Sequence, residues 1–142
     1  MGETFTTQIQ ARFRDINLAG HVDNVEAVRV LDESRYEFLR FAPLPGLPAG
    51  ATGLLHGLDA GVSDLVASQA IEYHAEMRFV PYQPFIATLW LSRIGRSSFT
   101  VAAELRVDAQ PTQDARRIHA QHPTRERQQQ SPERQLVGGD LA

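Results

Sequence analysis

Between Ala70 and Val107 the chain reads as three consecutive runs with strand periodicity, and no other stretch limits the fold so tightly. In "AIEYHAEMRF" the apolar residues Ile71, Tyr73, Ala75, Met77 and Phe79 alternate with Glu72, His74, Glu76 and Arg78, which predicts a strand with one buried and one wet face. In "FIATLWLSRI" both parities carry large apolar side chains, Leu89 and Leu91 against Ile86, Trp90 and Ile94, as in a strand covered on both sides. "SSFTVAAELRV" returns to alternation, with Phe99, Val101, Ala103, Leu105 and Val107 inward. Gly95-Arg96 between the last two runs is the Gly-X turn of a tight hairpin. The expectation is an antiparallel meander with one face to be covered.

The cover lies upstream. In "FRDINLAGHVDNVEAVRVLDESRYEFLRF", residues 13–41, Val28, Leu31, Phe38 and Leu39 recur at helical spacing among charged residues, predicting one long amphipathic helix over residues 24–41. Asp23 followed by Glu26 is a capping-box-like start, and Pro43 ends the helix near the residue before it. Threonines, Ile9 and Phe13 suggest a first strand over Phe5 to Phe13, and "APLPGLPAGATG" is a loop by its Pro and Gly content. A strand, a long helix and a meander give an α+β fold in which a curled antiparallel sheet wraps one helix.

Composition excludes several function classes. A chain of 142 residues supports one domain, and 42% hydrophobic with 22% charged residues is ordinary for a globular chain. A formal net charge of -3 supplies no basic field for a phosphate backbone, so no nucleic-acid partner is expected. Cysteine is absent, which removes disulfides and thiolate chemistry, and no apolar run marks export or membrane insertion, so the expected address is cytoplasmic with no membrane partner. No Gly-x-Ser-x-Gly elbow surrounds any serine.

The runs "DINLAGHVDNVEAVRVLDESRYEFL", "AIEYHAEMRFVPYQP" and "RIGRSSFTVAAEL", in this order, resemble the hotdog-fold acyl-CoA thioesterases of the 4-hydroxybenzoyl-CoA thioesterase type. The resemblance covers about Phe5 to Val107, as residues 1–108 of a hotdog domain. The family's opening motif is an aspartate, any residue, a second aspartate, two residues, then Gly-His-Val-Asn-Asn and a helix bearing Glu and Arg. The resemblance implies a hotdog protomer, a homodimer or homotetramer, no cofactor, and hydrolysis of a fatty or aromatic acyl-CoA to free acid and coenzyme A. It places the thioester near the start of the long helix, where free N–H groups and the helix dipole stabilise negative charge developing on the carbonyl oxygen.

The chain departs from the motif at the chemistry. The family's reactive carboxylate falls on Asn17, and an amide neither takes a proton from water at neutral pH nor acts as a carboxylate nucleophile. Where the motif has its first Asn after Gly-His-Val, the chain has Asp23. One reading makes Asp23, or failing that Asp15, the carboxylate, with Asn17 orienting water or the thioester oxygen and His21 polarising the carbonyl or orienting the base. The other makes Asp23 a helix cap and His21 a turn residue bonded to backbone. Asn24 and Val25 at the helix start, and Ser97 and Ser98 beside the hairpin turn, are the candidates for contacting substrate; Asn24 has an equally good role at the helix entry, and serines beside a hairpin turn more often serve local hydrogen bonding. Arg35, among apolar helix positions, is expected to pair with a carboxylate for structure. His21, Asp23 and His74 follow no known ligand spacing, so no metal is expected. A non-catalytic acyl-thioester-binding or dimerising hotdog protein is the alternative function, and a hotdog dehydratase lacks a matching His and Asp arrangement.

The end of the chain, residues 109–142, fits neither pattern. It is rich in Gln, Arg and Pro and has no aromatic residue. It reads as a low-complexity, disordered tail or as a departure from the ancestral reading frame soon after Asp108, and either leaves the last strand of the sheet missing or altered. All 14 basic residues of the chain are arginine, a bias of GC-rich coding that favours the frame explanation, which a one-base shift restoring an alternating apolar strand would test.

Overall fold

A computed structural model describes residues 3–107, and residues 118–128 as backbone. Six strands form one antiparallel sheet: β1 (Phe5–Ile9), β2 (Val62–Val66), β3 (Ala70–Tyr73), β4 (Phe85–Ile94), β5 (Ser98–Val107) and β6 (Ile118–Gln128). Their order is β1-β4-β5-β6-β2, and β3 also pairs with β6. β3 meets residues 118–121 of β6 and β2 meets residues 124–128, so the two short strands lie end to end along one edge.

One helix, α1 (Asn24–Tyr36), crosses the sheet and continues as a π-helical turn over Glu37–Phe41, where the Ala42 N–H bonds the Glu37 carbonyl at 2.8 Å. Its buried stripe is Ala27, Val30, Leu31, Ser34, Arg35, Phe38 and Leu39, packed toward Phe85, Leu89, Val101, Ala103 and Leu105. Full burial of an aliphatic side chain such as Leu31, Leu89 or Leu105 stabilises the fold by roughly 1.5–3 kcal/mol. Two polar residues share the stripe and both are satisfied. The Ser34 hydroxyl donates to the Val30 carbonyl at 2.7 Å, and the Arg35 guanidinium lies 2.7 Å from Asp32 and 3.7 Å from Asp64 of β2.

The C-terminal end of the helix is closed by the following loop. The N–H groups of Gly53, Leu54 and Leu55 donate to the carbonyls of Ala42, Phe38 and Leu39 at 2.8, 3.0 and 3.0 Å, and the Thr52 hydroxyl donates to the Arg40 carbonyl at 3.0 Å. Carbonyls that a helix end leaves orphaned thus find partners. Only glycine fits at residue 53: φ is +77°, and a Cβ would lie 2.5 Å from the Arg40 Cα and closer still to the Leu39 carbonyl oxygen. Arg40 pairs with Asp64, which joins this end to β2 as well.

The helix span, β4 and β5 agree with the periodicity, and Phe85, Ile86 and Ala87 are all buried, as a doubly covered strand requires. Four features differ from expectation. The first strand ends at Ile9, and Phe13–Asp15 forms a single 3-10 turn. The alternating run after Ala70 is regular strand only to Tyr73, because further along its backbone partner is a turn: Arg78 bridges to His21 and the Met77 carbonyl accepts the Val22 N–H at 2.8 Å. β2 was not foreseen, since its inward side carries Val62, Asp64 and Val66, and the central carboxylate breaks the apolar pattern. The expectation of a missing last strand is corrected for Ile118–Gln128, whose backbone pairs with β5 on one side and with β2 and β3 on the other. Ladder pairing with both neighbours replaces the apolar alternation that the segment lacks. The rest of the expected tail, residues 109–117 and 129–142, lies outside the described residues.

Candidate active site

The turn that leads into α1 is built by its own polar groups. Ile16 pairs with Val22 across it, the Asn17 N–H donates to the His21 carbonyl at 2.8 Å, and Gly20 takes a left-handed φ of +78°. The Asn17 side-chain oxygen accepts the Ala19 and His21 N–H groups at 2.9 and 3.2 Å. An Asx turn of this kind suits asparagine and leaves only its amide nitrogen for other work.

Asp15 is wholly buried, and its carboxylate accepts the Arg12 N–H at 2.8 Å with the Arg12 guanidinium 3.3 Å away and Arg14 at 3.9 Å. Its carbonyl accepts the Asp23 N–H at 2.8 Å. Asp15 therefore fastens the two limbs of the turn together. Its carboxylate is buried, with one oxygen that takes no hydrogen bond among the described residues, so it is a poor second choice for a base that must meet water.

Asp23 stands as the N-cap of α1. One carboxylate oxygen accepts the Val25 N–H at 2.8 Å, and its carbonyl accepts the Ala27 N–H at 2.9 Å. The other carboxylate oxygen has no partner among the described residues. The same holds for the backbone N–H groups of Asn24 and Glu26, and the side chains of Asn24 and Val25 are exposed. Capping thus occupies half of the Asp23 carboxylate and one of the first N–H groups of the helix.

His21 sits between the turn and the segment after β3. Its Nδ1 lies 3.2 Å from the Glu76 carboxylate, while its Nε2 has no partner among the described residues. Glu26, in the first helical turn, lies 3.8 Å from Arg14 and 3.7 Å from Arg29. The structure therefore gathers Asp15, Asn17, His21, Asp23, Asn24 and Val25 at one helix mouth. Ser97 and Ser98 are elsewhere in the protomer: they are exposed at the β4–β5 turn, where the Gly95 N–H bonds the Ser98 carbonyl, at the opposite end of β4 from Phe85, which pairs with Ile9. His74 pairs with Glu72 at 3.7 Å, apart from His21 and Asp23, and no group of three metal-ligating side chains exists among the described residues. Arg12, Arg14, Glu26 and Glu76 are the site residues that sequence reasoning passed over. Two of them carried a signal: the alternation puts Glu76 on a wet face, and the spacing from Asp23 marks Glu26 as a first-turn acid.

A family model described as the thioesterase-like superfamily matches residues 11–129, most of the chain and the whole of this site. The chain belongs to that superfamily. Its fold is the hotdog fold, shared with solved thioesterase structures at low identity. An Asp-to-Asn variant of 4-hydroxybenzoyl-CoA thioesterase in complex with 4-hydroxybenzoyl-CoA is 19% identical, with a TM-score of 0.66 over 91% of this chain and 87% of that one. The PA5185 protein from Pseudomonas aeruginosa strain PAO1 is 23% identical, with a TM-score of 0.63 over 89% and 78%. A thioesterase from Thermus thermophilus, complexed with coenzyme A and zinc, is 16% identical, with a TM-score of 0.58 over 84% and 81%. No curated protein matches this thioesterase-like chain by sequence. No helix among its described residues is long and apolar enough to cross a membrane.

Proposed function

We propose that the protein hydrolyses an acyl-CoA thioester to the free acid and coenzyme A, with Asp23 as general base. The observation that carries this is the half-used cap: a carboxylate oxygen of Asp23 that has no partner among the described residues, beside the N–H groups of Asn24 and Glu26, which have none there either. Water attacks the thioester carbon, its proton passes to Asp23, and the negative charge forming on the carbonyl oxygen meets N–H donors at the positive end of the helix dipole. The Asn17 amide nitrogen serves as a further donor to water or substrate. Collapse of the tetrahedral intermediate breaks the C–S bond and releases coenzyme A. Exposed Val25 and Asn24 border the acyl group. Ser97 and Ser98 reach it only from a second copy of the chain, in keeping with a homodimer. Family membership supports the thioester, and the bound thioester or coenzyme A in the solved likenesses supports the CoA class.

The test is thiol release from a panel of acyl-CoAs by wild type, Asp23→Asn and Asn17→Asp. Asp23→Asn keeps the cap, since Asn caps as well as Asp, and removes the base, so kcat should fall by about 100-fold or more. One observation favours a second reading, an acyl-thioester-binding protein without turnover: the motif's carboxylate position holds Asn17, and its side-chain oxygen is committed to the turn. A wild type that binds acyl-CoA without releasing thiol, together with an active Asn17→Asp, would give that reading the case.

A further inference from the structure

The imidazole of His21 is a titratable side chain at the helix mouth to which the proposed chemistry gives no task. Its backbone is fixed on both sides. The His21 N–H donates to the Asn17 side chain, its carbonyl accepts the Asn17 N–H, and the next residue, Val22, donates to Met77. Across from it runs the segment that bridges His21 to Arg78, and this segment delivers Glu76 to the ring. The Glu76 carboxylate lies 3.2 Å from Nδ1 and can only accept there, so its presence favours the ring form that carries a proton on Nδ1. Nε2 is left without a partner among the described residues, two residues before the N-cap of α1. A base oriented by a carboxylate on its other nitrogen is the arrangement that fixes tautomer and ring orientation in unrelated hydrolytic sites.

Glu76 is the one charged group within ion-pair distance of the ring among the described residues; Arg78 is bridged to His21 through backbone, and Asp23 lies two residues on, at the helix start. The Glu76 side chain is 63% exposed, against 24% for His21. An ion pair so open to water does little to hold a fold together. Its consequence lies in which nitrogen is protonated.

We propose that Glu76 is a positioning residue that holds His21 as the Nδ1–H tautomer, so that Nε2 delivers a proton to the sulfur of the departing coenzyme A. This rests on the thioesterase reading above. In the imidazolium form Nδ1–H stays on Glu76 and Nε2–H is the donor. As the C–S bond breaks, the sulfur takes the bonding pair together with the Nε2 proton and leaves as a thiol, and the ring becomes neutral. Asp23, holding the proton of the attacking water, returns it to Nε2 through solvent, and the acid product releases one proton to bulk. Thioester and water thus give carboxylate, thiol and one proton.

The test combines steady-state hydrolysis of an acyl-CoA with nitrogen-15 NMR of the His21 ring, in wild type, Glu76→Gln, Glu76→Asp, His21→Gln and the double variant Glu76→Gln with His21→Gln. Glu76→Gln should lower kcat by roughly 10- to 100-fold, the usual cost of losing a group that orients a functional histidine, at unchanged KM. Glu76→Asp should recover part of the loss. The double variant should be no slower than His21→Gln, since Glu76 acts only through His21. In the neutral ring, wild type should show the proton on Nδ1, and Glu76→Gln should move it largely to Nε2. Full kcat in Glu76→Gln, losses that multiply in the double variant, or an unchanged tautomer would each overturn the proposal. A wild type that releases no thiol from any acyl-CoA sinks the thioesterase reading and the proton delivery with it, and the tautomer shift then decides alone whether Glu76 governs His21.

Discussion

The two ends of the long helix are finished in opposite ways. At the C-terminal end a π turn, three loop N–H groups, the Thr52 hydroxyl and the Arg35, Arg40 and Asp64 cluster engage carbonyls and charges alike. At the N-terminal end one side-chain cap bond to Val25 is made, and the N–H groups of Asn24 and Glu26, half of the Asp23 carboxylate and Nε2 of His21 have no partner among the described residues. Both ends of a helix expose orphaned polar groups, and both would gain from partners. Partners at one end serve stability, whereas at the other the N–H donors match the oxyanion of the proposed reaction and the free Asp23 oxygen matches the proton that water gives up.

The contrast predicts a gradient of effects. Gly53→Ala should break the closed end outright, because a Cβ there collides with helix backbone at a left-handed φ, and a loss of about 3 kcal/mol or more is expected in urea unfolding. Gly50→Ala is the control: its φ of +79° is similar but the space is open, so the cost should stay near 1 kcal/mol. Asp64→Ala should cost roughly 2 kcal/mol in the same assay, since it strips Arg40 of its carboxylate and leaves buried Arg35 with Asp32 alone. At the open end Asp23→Ala should lose about 1 kcal/mol with the cap, whereas Asp23→Asn should lose only a few tenths. A thioesterase that needs Asp23 as base loses turnover in both. An Asp23→Asn variant that kept full turnover would reduce the open end to an ordinary frayed helix start.

Much of this was legible in the sequence, and the reasons for the remainder are physical. The helix could be placed because Asp23 and Pro43 mark its ends locally, and β4 and β5 because their periodicity is undisturbed. β2 was hidden because Asp64 faces inward to pair with arginines that lie far away in sequence. Asp15 looked like a candidate base from its motif position, while its burial and its bonds to Arg12 depend on how the turn folds back. Glu76 was visible as a wet-face residue, but that it meets His21 follows from a long-range register that local spacing does not encode. Local rules found α1, β4 and β5, and tertiary contacts decided β2, β6 and the pairing of the carboxylates.

The sheet order also imposes a timetable. β2 and β3 are made early, yet the strand both pair with is β6, the last of the six in chain order. During synthesis β1, α1, β4 and β5 can assemble as soon as Val107 has emerged, while the two edge strands wait with unmade ladder bonds until residues 118–128 follow. The Asp64 contacts that close the C-terminal end of the helix depend on β2, so that end is completed by the same late event. A nascent chain halted with Val107 outside the ribosome and Ile118 still inside would present its helix mouth already shaped and its opposite flank open to aggregation.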